Sequence, residues 1–88
     1  MDVRTLIAAY RKANTMPGRE DARHAKWWAQ ELGEAAATLT AARLLESLDR
    51  LGRYGRSPST VAKYLRFLRR VCAWGTLVGY LPTDPSID

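Results

Sequence analysis

The basic residues between positions 57 and 75 are spaced so that a helix would gather most of them on one side. This segment contains four basic residues and no acidic one. At about 100° per residue, one arc of about 60° holds Ser59, Lys63, Arg66 and Arg70. Arg69 lies beside that arc. Like charges at this spacing slightly destabilise an isolated helix, whereas bound phosphate groups would compensate them. The pattern therefore predicts a surface for a polyanion, most naturally the DNA backbone.

The start of the same segment offers hydroxyl groups at a predicted helix N-terminus. Ser57 followed by Pro58 is typical of an N-cap and the first helical residue. The free N–H groups of such a terminus also favour a phosphate. We interpret Ser57 as a cap. For Ser59 and Thr60 two interpretations stay open, a phosphate contact or support of the cap alone.

Residue types that support catalysis or metal binding are sparse. The chain has one cysteine, Cys72, and one histidine, His24. These two residues cannot form an internal disulfide or a zinc site of normal spacing. No paired carboxylates and no nucleophile with an adjacent base stand out. We therefore expect no catalysis, no metal and no cofactor, and we interpret Cys72 as a core residue of a cytoplasmic protein.

The distribution of charge supports a nucleic-acid partner. The 88 residues have a net charge of +5, and residues 50–83 contain seven basic side chains and no acidic one. Residues 1–49 contain seven basic and seven acidic side chains, so their charges balance. A small domain with one basic half is typical of nucleic-acid binding. No apolar run approaches the roughly 18 residues of a membrane span, so we expect no membrane contact.

The elements that must position these side chains are all predicted to be helices. Ala, Leu, Arg and Glu dominate, and no β-type alternation lasts more than a few positions. We expect helices over residues 2–14, 19–32, 40–51 and 58–78. Asp2, Thr40 and Ser57 are predicted N-caps; the predicted ends are a break at 14–18, Gly33, Gly52 and Gly79. The result would be one compact all-α four-helix bundle over residues 1–79, with 80–88 as an exit segment.

Each predicted helix has an apolar face. On the last helix this face should contain Val61, Tyr64, Leu65, Leu68, Val71, Cys72 and Gly75. On the third helix it should contain Ala41, Leu44, Leu45, Leu48 and Leu51. Among the aromatic residues, Trp28 is expected in the core and Trp27 partly exposed. Phe67 and Trp74 are expected at the edge of the core.

Two weaker basic features lie elsewhere. Arg23 and Lys26 share the outer face of the predicted second helix, where a DNA contact and a merely solvated face are both open. Arg56 lies in the cationic, glycine-rich loop 50–57, close to Tyr54. We include these three cations, together with Arg69, among the candidate DNA-binding residues.

The order of these features resembles the core-binding domain of the tyrosine recombinase (phage integrase) family. The stretch "TLTAARLLESLDRL", a loop and then "RSPSTVAKYLRFLRRVCAWGTLVGYLPTDP" carry the resemblance. The last helix of that family opens with Ser-x-x-Thr, continues through aromatic-Leu-x-x-Leu-Arg and ends in Gly-x-Leu-x-x-(Asn/Asp)-Pro. The matching positions here are Ser57 and Thr60; Tyr64, Leu65, Leu68 and Arg69; and Gly79, Leu81, Asp84 and Pro85. Helix order extends the resemblance over the whole chain, but the connection 33–39 departs from it, since its "EAAATL" is able to extend a helix.

The resemblance implies a SAM-like four-helix domain that clamps one face of a recombination half-site on double-stranded DNA. A separate catalytic domain in the parent chain would hold an Arg, a His-x-x-Arg pair and a tyrosine nucleophile, none of which is recognisable here. It also implies contact with other recombinase protomers on DNA, in a bacterial, phage or mobile-element context.

Three other functional classes compete with this interpretation. A SAM-like protein-interaction module would direct the basic arc at an acidic partner. A helix-turn-helix regulator fits less well, because the loop before the last helix is long and that helix exceeds a usual recognition helix. A small enzyme fits least, for want of a catalytic constellation.

Overall fold

The computed structural model describes residues 1–14 and 19–86, which form an all-α bundle of four α-helices and one short 3-10 turn. The helices are α1 (Val3–Ala13), α2 (Arg19–Glu31), α3 (Ala41–Arg53) and α4 (Pro58–Leu77), and the 3-10 turn covers Ala36–Thr38. The predicted fold class is therefore confirmed. Most of the predicted break at 14–18 lies outside the described residues.

The three predicted N-caps are confirmed. The side-chain oxygens of Asp2, Thr40 and Ser57 each accept a hydrogen bond from the backbone N–H three residues later, at 2.7, 3.2 and 3.2 Å. Each bond satisfies one of the N–H groups that a helix start leaves without an intrahelical partner. Pro58 occupies the first position of α4, where its missing N–H costs nothing.

The predicted helix ends are only partly correct. Gly79 follows α4 with a φ of +89°, as expected for a residue that terminates a helix. Gly52 does not end α3, because the helix continues through it to Arg53 and the chain turns at Gly55, whose φ is +86°. Gly33 follows α2, which ends at Glu31, but its backbone does not adopt the left-handed conformation of a C-terminal cap. Among the described glycines, only Gly55 and Gly79 have a positive φ.

The connection between α2 and α3 does not extend either helix. Its backbone is occupied by the start of the chain: the Val3 N–H donates to the Glu34 carbonyl at 3.0 Å, and the Ala36 N–H donates to the Met1 carbonyl at 2.9 Å. These bonds hold the segment extended before the 3-10 turn. A helix through the connection would consume the same groups, so pairing with the N-terminus decides its conformation.

Helix α4 supplies the centre of the core, and all three other helices pack against it. Its predicted apolar arc is confirmed, with Val61 and Leu65 half-buried and the other members buried. Trp28 is fully buried, and its indole N–H donates to the Tyr64 carbonyl at 2.9 Å. Trp27 and Trp74 are half-buried, as predicted.

Two core predictions are wrong. Phe67 is fully buried rather than at the edge, because α1 and α2 both pack against it. The ring centroids of Tyr10 and His24 lie 6.0 and 5.9 Å from that of Phe67. Leu45 is 65% exposed, because α3 turns that side away from the bundle. Periodicity identifies an apolar face but not how far the neighbouring helices cover it.

The chain beyond α4 stays against the bundle for at least two residues. Tyr80 and Leu81 donate their N–H groups to the Gly75 carbonyl at 2.8 and 3.1 Å. Leu81 is buried, and the Tyr80 ring lies 5.6 Å from that of Trp74. Gly75 permits this approach, since a Cβ there would stand 3.0 Å from Leu6 Cδ1 and 3.3 Å from Leu81 Cδ1. Across residues 1–14 and 19–86, no helix is both long and apolar enough to cross a membrane.

Candidate nucleic-acid interface

Three cations of α4 line one shallow depression on the side where α4 meets α2. This basic depression encloses about 250 Å³ and is lined by Asp21, His24, Lys63, Arg66 and Arg70. Lys63, Arg66 and Arg70 are all exposed. The structure therefore brings together the cations that the helical spacing places on one arc, and it does so on a surface that the domain's own packing leaves open.

One lining residue of the basic depression, His24, packs against aromatic side chains of α4. The ring of His24 lies 4.3 Å from that of Tyr64, and Trp27 meets Tyr64 edge-on at 5.4 Å. His24, to which the sequence assigns no role, is only 6% exposed. The Arg70 guanidinium carbon stands 5.9 Å from the Phe67 ring centroid, within the range of a cation–π contact. Arg70 therefore lies directly against a fully buried side chain of the core.

Asp21 also lines the basic depression, and the sequence analysis did not predict this. Its Oδ1 accepts a hydrogen bond from Arg70 Nη2 at 3.2 Å. From the sequence Asp21 is only an acidic residue in the first turn of α2. The pair joins residues 49 positions apart, so nothing local indicates it. The carboxylate reduces the positive charge of the depression and orients Arg70.

Arg56, which precedes α4, and Arg69 on α4 face α3 and do not line the basic depression. Arg69 lines a cleft against α3 together with Leu45 and Leu65. Arg56 lines a larger cleft next to it, again between α3 and α4. The structure does not bring these two cations together with Lys63, Arg66 and Arg70.

Arg23 and Lys26 are exposed on α2 but do not line the basic depression. Ser59 is exposed on the outer side of α4, one turn before Lys63. The Thr60 hydroxyl accepts a hydrogen bond from the Ser57 hydroxyl at 3.0 Å, so it takes part in the cap. Of the two hydroxyls left open by the sequence, Ser59 is thus the one that faces solvent.

Other basic residues hold the bundle together. Arg43 donates to Glu34 Oε2 at 3.0 Å, to Ser47 Oγ at 2.8 Å and to the Glu31 carbonyl at 2.9 Å. Arg50 Nη1 lies 2.7 Å from Glu31 Oε1. Both arginines therefore tie α3 to the end of α2, and their charge is compensated inside the domain.

Cys72 is confirmed as a core residue. It is fully buried and free. Burial, with a smaller contribution from the Asp84 carboxylate, raises the pKa of its thiol from an ordinary 9.0 to about 12. The thiol is therefore neutral at physiological pH and a poor nucleophile. Within residues 1–14 and 19–86, no three His, Cys, Asp or Glu side chains group together as metal ligands would.

Comparisons of the chain with protein families, with curated proteins and with solved structures find no match.

Proposed function

We propose that this chain binds double-stranded DNA through the basic depression and the outer face of α4. The observation that carries the proposal is the convergence of Lys63, Arg66 and Arg70 on one open surface against α2. A solvated helix face normally mixes both signs of charge, whereas α4 carries no acidic residue. Phosphate groups are the ligands that a helix face with only positive charge would bind best.

The geometry of α4 suits a duplex. A helix with its side chains fits the major groove, which is about 12 Å wide. Arg66 lies in the outward part of the arc, where a guanidinium is able to reach either phosphate or a guanine edge. Lys63 and Arg70 line the depression together with α2 residues, where they would contact backbone phosphates. Release of condensed counterions from those phosphates would supply most of the affinity.

We further propose that the domain is the core-binding domain of a tyrosine recombinase, with catalysis located in another part of the parent protein. The motif resemblance over residues 57–85 supports this. Two of its positions have a structural reason to be what they are: Gly79 adopts the left-handed conformation, and Leu81 is buried against Gly75. The four-helix architecture is also what that family would require.

A pair of matched triple variants tests the DNA proposal. One replaces Lys63, Arg66 and Arg70 with Ala; the other replaces Arg53, Arg56 and Arg69, which line the clefts between α3 and α4, with the same loss of charge. Affinity for a duplex of about 20 base pairs should fall at least about tenfold more in the first variant than in the second. The slope of log K against log salt should also decrease by about 2.7 in the first, since each phosphate contact contributes about 0.9.

The measurements belong at low salt, because an isolated module of this kind typically binds DNA with a Kd of about 10⁻⁴ to 10⁻⁶ M. Circular dichroism verifies that both variants are folded. Equal losses of affinity in the two variants would contradict the assignment of DNA binding to the basic depression. Unchanged affinity in the first variant would show that Lys63, Arg66 and Arg70 do not bind DNA. The recombinase assignment is tested separately, by whether the parent reading frame encodes an Arg, a His-x-x-Arg pair and a Tyr after this domain.

A further inference from the structure

The side of α4 that faces α3 carries a groove with different chemistry from that of the basic depression. Two clefts between α3 and α4 share Leu48 and Leu65 and so run into each other. The larger encloses about 570 Å³ and the smaller about 90 Å³. We call the pair the α3–α4 groove.

The floor of the α3–α4 groove is apolar. Leu48, Leu65 and Val61 line it, and all but Leu48 are only half-buried. Leu45 borders the smaller cleft with 65% of its surface exposed. Exposed apolar side chains that adjoin one another mark an interaction surface more often than isolated ones do. A phosphate backbone gains nothing from such a floor, whereas a polypeptide with apolar side chains does.

The rim of the groove is basic. Arg53, Arg56 and Arg69 line it, all exposed. The carboxylate that also lines it, Asp49, lies 2.9 Å from Arg53 Nη2 and compensates that one cation. Arg56 and Arg69 remain at the two ends of the groove. An occupant with acidic side chains on either side of an apolar stripe would complement this arrangement.

The length of the groove indicates an elongated occupant. Its α4 lining extends from Pro58 to Arg69, a distance of about 16 Å at a rise of about 1.5 Å per residue. This equals about three helical turns. A helix of that length presents anchors at i, i+3 or i+4 and i+7 to a groove.

From the apolar floor, the basic rim and the length, we propose that the α3–α4 groove binds an acidic amphipathic helix of a partner protein. This proposal does not depend on the DNA proposal, because the groove and the basic depression share no lining residue. The one domain would therefore be able to hold DNA on one surface and a partner helix on the other.

Three synthetic peptides of about 15 residues test the proposal. The first has a Leu stripe at i, i+3, i+4 and i+7 flanked by Glu; the second has Lys in place of Glu; the third has the composition of the first with the stripe scrambled. Backbone amide NMR shifts of the intact chain report both the affinity and the site. The acidic peptide should bind about five- to tenfold tighter than the basic one, since two or three exposed ion pairs are gained. Its shifts should map to Leu45, Leu48 and Leu65.

Charge-reversal variants sharpen the test. Arg56→Glu combined with Arg69→Glu should reverse the preference, so that the basic peptide binds the tighter. The matched control, Arg23→Glu combined with Lys26→Glu, should change acidic-peptide affinity less than about threefold, because those exposed residues lie on α2, which does not line the groove. Circular dichroism checks the fold of each variant.

Four results would overturn the proposal. The first is that the acidic peptide does not bind at millimolar concentration, and the second is that the scrambled peptide binds equally well. The third is that the peptide-induced shifts map to Lys63 and Arg66. The fourth is that the shifts of groove residues change on dilution in the absence of peptide. The last result would assign the groove to a second copy of this chain.

Discussion

Arg70 and Asp21 lie on different helices, and their side chains meet at 3.2 Å beside the basic depression. The pair holds the C-terminal part of the cationic face against α2. Because Asp21 lies on the surface that we propose for phosphate, its carboxylate both orients a cation and opposes the ligand. Any phosphate bound by Arg70 must compete with it.

The first prediction concerns this carboxylate. Asp21→Asn should raise duplex affinity about 1.5- to fivefold at low salt, since it removes one unfavourable charge from the binding surface. Asp49→Asn is the matched control, with the same charge change at the α3–α4 groove beside Arg53. It should raise affinity less, because screening weakens charges across the domain. An equal gain in both variants would mean that net charge, and not this surface, sets the affinity. Fluorescence anisotropy measures both.

The second prediction concerns Arg43, which joins α3 to the end of α2. Arg43→Ala should lower the free energy of unfolding by about 1.5 to 3 kcal/mol, because it removes bonds between a charged donor and three acceptors. Arg43→Lys should recover little, since an ammonium cannot reproduce the planar fork. Arg53→Ala serves as control; its pair with Asp49 is exposed and should be worth less than about 1 kcal/mol. Urea unfolding measures all three, and full recovery by Lys would refute the geometric argument.

The third prediction contrasts two glycines three positions apart. Gly52 is helical and has nothing within 4 Å of a Cβ, so Gly52→Ala should stabilise the domain by about 0.5 to 1 kcal/mol. Gly55 also has open space, but its φ is +86°. Gly55→Ala should therefore destabilise the domain by about 1 to 2 kcal/mol. Thermal unfolding distinguishes the two, and effects of the same sign would place the end of α3 elsewhere.

The fourth prediction concerns pH and Cys72. The folded state raises the pKa of this thiol to about 12, so the unfolded chain loses its proton first, near pH 9. The contribution of Cys72 to stability should be constant below pH 9 and fall as the pH rises from 9 toward 12. The stability difference between the native chain and Cys72→Ala should shrink over that range. A difference that stays constant to pH 11 would contradict the buried, neutral thiol. Alkylation by iodoacetamide at pH 8 should likewise proceed only at the rate of unfolding.

Much of the fold was predictable because it depends on local chemistry. Asp2, Thr40 and Ser57 cap the helices they precede through bonds within three residues, and such bonds are readable from residue type and position. The two faces of α4 were predictable for the same reason, since 100° per residue relates neighbours on one helix. The prediction that α3 ends at Gly52 was wrong because glycine is common at helix ends but is also tolerated within a helix.

The basic arc on α4 and its apolar counterpart were determined by the sequence alone, because both are properties of one helix. The tertiary structure decided what lies on each side of that helix. On one side it placed α2 next to Lys63 and Arg70, so that Asp21 lies among these cations. On another side it placed α3 next to Arg56 and Arg69 and left Leu45 exposed at the groove. The physical reason is that helical periodicity relates residues a few positions apart, whereas these surfaces join residues tens of positions apart through the packing of Trp28, Tyr64 and Phe67 in the shared core.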